Sequence, residues 1–223
     1  MLRRSGVLDS SSSAPLTILD NACGGGVITS LLLNKDALTL SRIIAADNND
    51  SMLDYTRQRS RDNEWTHVHI ENFDQTSIAL PDESCDFVFS NFGIFFHPND
   101  AATLSETYRV LKESGTAGFT SWSKTAWWTS VAVPTLKAYL PDAPALPENV
   151  NITPAKGWAD PGLIPEKLAV AGFKDVQVTE YAFTPDVEAD EFGEVPYPQL
   201  DPSQCVRGSA DPSSASCRRW QCW

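Results

Sequence analysis

Ile18-Leu19-Asp20-Asn21-Ala22-Cys23-Gly24-Gly25-Gly26 is the stretch on which the reading of this chain turns. Leu16-Thr17-Ile18-Leu19 has the length and composition of a short buried strand, and it runs straight into an acid and then a glycine cluster. Glycines let the backbone turn sharply and approach a ligand closely, because no Cβ intervenes. A helical stretch follows to about Leu33, and the first N–H groups of any helix lack intrahelical partners. A strand, a glycine turn and a helix in that order predict a ligand site at the carboxyl edge of a parallel sheet.

The alternation continues outward from there. Arg42–Ala46 reads as a second strand ending at Asp47, and a capping-box-like start at Ser51 leads a helix to about Arg61. His67–Glu71 and Asp86–Asn91 read as the third and fourth strands, the latter rich in aromatic and β-branched residues. Asp100 is expected to cap a helix carrying Leu104, Tyr108 and Leu111 on one stripe, with Gly115 at its C-terminal end. Thr116–Trp122 reads as a fifth strand, Pro165 opens a helix that closes at Gly172, and Phe173–Phe183 reads as a sixth strand. Strands separated by helices predict an α/β fold with a doubly wound, mainly parallel sheet.

Three stretches fall outside that pattern. Residues 1–15 are Ser-rich and polar, and are expected to form a flexible leader. Residues 123–160 carry Trp127, Trp128, Trp158 and five prolines, too long for a plain connection, and are expected to cap a binding site. Residues 184–223 form an acidic, then Ser- and Cys-rich tail, expected to be disordered. The domain of alternating strands and helices would therefore span residues 16–183.

Composition narrows the function classes. With 29 acidic and 17 basic residues among 223, the net charge is −12, which disfavours a nucleic acid partner. The longest apolar runs are four residues, far short of the roughly 20 that a membrane span requires. The N-terminus has no apolar h-region of a secretory signal, so a cytoplasmic location is expected. Five cysteines without a CxxC pair argue against a disulfide framework or a zinc site.

The glycine turn selects among ligands. Asp47 lies 21 residues past Gly26, close to the ~20-residue offset at which an acid reaches ribose hydroxyls. That spacing implies a nucleoside. A P-loop would need Gly-Lys-Ser/Thr where Gly26-Val27-Ile28 stands, and a dinucleotide fingerprint would need a third glycine where Thr29 stands. Asp20 would repel a pyrophosphate but suit a cationic amino-acid group. The residues thus favour a positive, phosphate-free nucleoside.

In order along the chain, these segments resemble the motifs of class I S-adenosylmethionine-dependent methyltransferases of the small-molecule, secondary-metabolism type. Ile18–Gly26 looks like the family's first motif, Asp47 its ribose acid, Asp74–Asp82 its adenine-contacting segment and Asp86–Phe92 its fourth-strand motif. Tyr108–Lys112 with Gly115, and then Ala171-Gly172-Phe173, resemble its later junctions. Ala22 stands in place of the usual first glycine. Both ends are short against the family pattern, with fifteen residues before the first strand and no seventh strand legible after Phe183.

The resemblance implies S-adenosylmethionine as cofactor, held by Asp20, Ala22, Gly24, Gly26, Asp47, Asn48, Asp74, Gln75, Asn91 and Phe92. Phe95, Trp127 and Trp128 would line the pocket of a small, largely apolar acceptor, and His97 would be the base if the acceptor needs one. The implied activity is methyl transfer to O, N or S. The alternatives are a relative that binds the cofactor without transferring methyl, as a cyclase or an inactive partner, and an NAD-dependent oxidoreductase.

Overall fold

The computed structural model describes residues 1–8, 15–34, 38, 41–123, 137–138 and 157–181. All of them belong to the unit Met1–Phe183. Five strands form one sheet: β1 (Thr17–Asn21), β2 (Arg42–Asp47), β3 (Val68–Asn72), β4 (Cys85–Asn91) and β5 (Leu111–Thr120). Their order is β3-β2-β1-β4-β5, and every pair is parallel. Helices α1 (Val27–Leu33), α2 (Asp50–Asp62), α3 (Asp100–Val110) and α4 (Ile164–Val170) complete the described elements. The sheet grows from β1 outward to β3, then returns to lay β4 on the other side of β1. The strand order therefore reverses between β1 and β4, where an open α/β sheet leaves a crevice.

Side-chain alternation explains the unbroken apolar runs of the central strands. Ile18, Ile43 and Phe89 enter one core cluster with Ile28 and Leu32, whereas their neighbours Leu19, Ile44 and Val88 enter another with Val110 and Leu111. Successive residues point to opposite faces, and both faces are buried, so the strand centres are apolar on both sides. A third cluster, Ile94, Phe95, Leu104, Trp158 and Leu168, joins α3 and α4 beyond the end of β4.

Several local expectations are corrected by tertiary contacts. The leader is not free at its start: Val7 is fully buried among Ile18, Ile28, Leu32 and Phe89, with Met1, Leu2 and Leu8 packed beside it. Apolar burial outweighs the polar composition there, because the face of β1 and β4 needs cover. The N-caps are Asn49, which accepts from Met52 N, and Asn99, which accepts from Ala102 N, and not Ser51 or Asp100. Asp100 instead accepts from Trp158 Nε1 and Lys167 Nζ, both at 2.7 Å.

The buried stripe of α3 is Thr103, Leu104, Thr107 and Val110, while Tyr108 is exposed. Gly115 does not end that helix. It lies inside β5, where a Cβ would stand 2.8 Å from the Leu111 side chain and 3.0 Å from Asp86 O. Phe173–Phe183 shows no strand as far as Tyr181, and its last two residues lie outside those described. Pro165 does open α4, and Gly172 closes it at φ +99°.

Candidate functional site

The chemistry-bearing residues converge at the carboxyl ends of β1 to β4. β1 delivers Asp20 into the interior, where its Oδ2 accepts from Thr29 N at 3.0 Å and Thr29 Oγ1 at 2.7 Å. Its Oδ1 is buried and has no partner among the described residues. Burial pushes the Asp20 carboxyl up to about 6; the Thr29 bonds pull it down, and the negative charge of Asp47 adds a further upward push. The chain then turns through Ala22 at φ +58°, Gly24 at +51° and Gly26 at +71°. Gly26 N donates to Cys23 O at 2.9 Å, which closes the turn.

Asp47, at the end of β2, faces this turn. Its Oδ2 accepts from Gly24 N at 2.8 Å and its Oδ1 from Asn49 N at 2.9 Å. Each carboxylate oxygen has a second lone pair, so acceptor capacity for a diol remains. Exposed Asn48 donates through Nδ2 to Asp74 Oδ2 at 3.3 Å, linking the ends of β2 and β3. Asp74 Oδ1 accepts from Thr76 N at 2.7 Å and Thr76 Oγ1 at 2.6 Å, and the hydroxyl bond chiefly holds this carboxyl below its ordinary range. The neighbouring Gln75 keeps a buried Oε1 with no partner among the described residues.

On the far side of the crevice, β5 fixes the end of β4. Thr120 Oγ1 donates to Asn91 Oδ1 at 2.8 Å and accepts from Phe92 N at 2.9 Å. Phe92 takes φ +56°, and its ring stacks on Trp122 with centroids 4.4 Å apart. Two non-glycine residues in the left-handed region, Ala22 and Phe92, thus flank the strand-order reversal. Strain of this kind persists only where surrounding structure over-determines it.

The proposed acceptor side is brought together less fully. Phe95 is 1% exposed and packs in the core with Leu104 and Trp158, whereas its neighbour Phe96 is 61% exposed. An apolar residue past a strand end can face either way, and the packing of α3 decided it. Trp127 and Trp128 lie outside the described residues. Trp158, expected in a cap, is a core residue at 2% exposure. His97 Nδ1 accepts from Asn99 N at 3.0 Å, so the neutral ring carries its proton on Nε2 and presents a donor there.

Sequence reasoning missed the residues that hold the turn from behind. Thr29, which stands where a dinucleotide fingerprint would have a glycine, is the anchor of Asp20. From α2, Thr56 Oγ1 donates to Gly24 O at 2.7 Å, and the Arg59 guanidinium donates to Gly25 O. These partners lie more than thirty residues away, and no local spacing announces them. Burial pushes the thiol of Cys23, within the turn, upward, so it stays protonated.

The site's donor set suits a nucleoside with an amino-acid arm. A buried carboxylate oxygen without a partner beside the turn fits a cationic group, and the acceptors left on Asp47 fit a ribose diol.

A methyltransferase-domain family matches residues 19–119. Methyltransferase tpcH of Aspergillus fumigatus is 31% identical over 202 residues, covering 87% of this chain and 70% of that protein. Acetylaranotin bis-thiomethyltransferase of Aspergillus terreus is 29% identical over 178 residues, covering 78% of this chain and 60% of its own. A solved structure of an S-adenosylmethionine-dependent methyltransferase from Aquifex aeolicus shares the fold, with a TM-score of 0.58 at 19% identity over 78% of this chain and 81% of its own. The chain belongs to the S-adenosylmethionine-dependent methyltransferase family, and S-adenosylmethionine is its cofactor. It spans between 60% and 70% of the length of the two fungal relatives. Among the described residues no helix is long and apolar enough to cross a membrane.

Proposed function

We propose that this protein transfers a methyl group from S-adenosylmethionine to O, N or S of a small, largely apolar metabolite. The observation that carries the reading is the bond from Gly24 N to Asp47 Oδ2, which sets a ribose-type acid directly on a glycine turn that has no phosphate-binding lysine. Bound cofactor supplies an electrophilic methyl on a sulfonium, so the protein's task is mainly to align the acceptor with it.

In this reading Asp47 accepts from the ribose hydroxyls, and Asp74 accepts from the adenine amino group while Thr76 holds its other oxygen. The turn and Asp20 receive the amino-acid arm, and Ala22 and Gly26 keep the backbone close to it. Asn48 and Gln75 border the base, and Asn91 with Phe92 floors the crevice next to the methyl donor. Trp127 and Trp128 remain proposed acceptor contacts.

His97 bears on the acceptor's chemistry. A ring that accepts at Nδ1 from Asn99 N–H offers a proton from Nε2 instead of taking one there. Acceptors that shed their proton to water readily, such as thiols or acidic phenols, fit that arrangement better than alkyl alcohols. The name of the thiomethyltransferase relative agrees with a sulfur acceptor.

The test is calorimetric titration with S-adenosylmethionine and S-adenosylhomocysteine, followed by detection of S-adenosylhomocysteine release with aryl thiols and phenols. Turnover with either acceptor class supports the reading. Cofactor that binds but is never consumed across the panel would favour a binding relative, and tight nicotinamide-cofactor binding would replace the reading with an oxidoreductase.

A further inference from the structure

We propose that Thr56 is a positioning residue of the cofactor cradle, holding the Gly24–Gly25 peptide so that the Gly25 N–H is aimed at the carboxylate of the ligand's amino-acid arm. This rests on the reading of the crevice as an S-adenosylmethionine site. Thr56 is fully buried on α2, and its Oγ1 donates to Gly24 O at 2.7 Å. In a trans peptide the C=O and the N–H of one unit point in opposite directions, and the described chain has no cis peptide bond. Drawing the Gly24 oxygen toward α2 therefore turns the Gly25 N–H away from α2.

Three neighbouring donors of the turn are committed. Cys23 N donates to Ala46 O at 2.9 Å, Gly24 N to Asp47 Oδ2 at 2.8 Å and Gly26 N to Cys23 O at 2.9 Å. Among the described residues the Gly25 N–H has no acceptor, and Gly25 itself is partly exposed. An oriented donor left over beside the paired N–H groups of Cys23, Gly24 and Gly26 calls for an acceptor from outside. Neighbouring contacts keep the turn from relaxing. Arg59 binds Gly25 O and lies 5.3 Å over the Trp65 ring, and a Cβ on Gly25 would meet the Tyr55 ring at 3.1 Å. Hydroxyl, peptide plane and free N–H form one chain of cause.

Thr56→Val keeps the shape and removes the hydroxyl; Thr56→Ser keeps the hydroxyl. The experiment titrates both variants and the wild type with S-adenosylhomocysteine and with 5′-methylthioadenosine, which lacks the amino-acid arm. Thr56→Val should weaken S-adenosylhomocysteine roughly tenfold and leave methylthioadenosine unchanged, with Thr56→Ser matching the wild type. Equal loss for both ligands, or no loss, overturns the proposal, because a general loosening of the fold or an idle hydroxyl would explain those results. A wild-type protein that binds neither ligand removes the parent reading, and this one with it.

Discussion

The Cβ of Ala22 occupies space that only a glycine at position 93 leaves open: a Cβ on Gly93 would stand 2.5 Å from it. Ala22 sits just past β1 at φ +58°, and Gly93 just past β4. The position where the family pattern has a glycine thus carries a methyl group, and the neighbouring strand end supplies the missing glycine. The two residues meet at the strand-order reversal, so their packing sets the shape of the crevice mouth.

Gly93→Ala should therefore destabilise the protein by about 1–3 kcal/mol, the usual cost of overpacking. The same substitution in an Ala22→Gly background should cost less, by a coupling of at least ~1 kcal/mol. Urea denaturation of the four proteins of the cycle measures it. Additive effects would show that the two positions do not share this space.

Asp47→Ala should weaken S-adenosylhomocysteine binding by roughly tenfold to a hundredfold, as expected for loss of charged hydrogen bonds. The variant also frees Gly24 N from its acceptor. Calorimetry should show the loss with methylthioadenosine as well, since the ribose is common to both ligands. Unchanged affinity would remove Asp47 from the site.

Asp20 makes stability depend on pH in a defined direction. Its carboxyl is raised from 3.8 to about 6 in the folded protein, so the native state binds more protons than the unfolded chain across that window. Stability contributed by this group rises as pH falls from about 6 toward 3.8, and its buried charge costs about 3 kcal/mol at neutral pH, to order of magnitude. Asp20→Asn keeps an acceptor for Thr29 and removes the titration. The difference in urea midpoint between wild type and variant should shift in favour of the wild type as pH drops through 6. A gap independent of pH would mean that Asp20 does not titrate there.

Asp100 ties α3 to α4 through Lys167 and to the segment before α4 through Trp158. Asp100→Ala leaves both donors unpaired in a partly buried setting and should cost about 1–3 kcal/mol. Asp100→Asn, which retains an acceptor for Trp158, should lose less. Thermal unfolding of both variants separates the indole bond from the ion pair.

Much of the architecture is legible in the sequence, because it rests on local chemistry. Apolar runs of two to four residues mark β1, β2 and β4, since strands buried on both faces favour such residues at their centres. The glycine turn and Asp47 could be read from spacing, because β1, its turn and the next strand form one short βαβ unit. Proline and glycine marked the ends of α4 for a similar reason: each restricts or frees its own φ.

What the chain order could not reveal are relations between residues distant along it. Whether Asn99 or Asp100 caps α3 depends on Lys167 and Trp158, which claim the Asp100 carboxylate from more than fifty residues away. Val7 is core rather than leader because the face formed by Ile18 and Phe89 has room for it. Phe95 turns inward and Phe96 outward because α3 and Trp158 pack on one side only. The sequence determined the strand–turn–helix frame and the acids at its edge, through propensities and periodicities that act within a few residues. Only the tertiary structure decided which side chains hold that edge in shape, because hydrogen bonds and packing pair groups by position in space, whatever their separation along the chain.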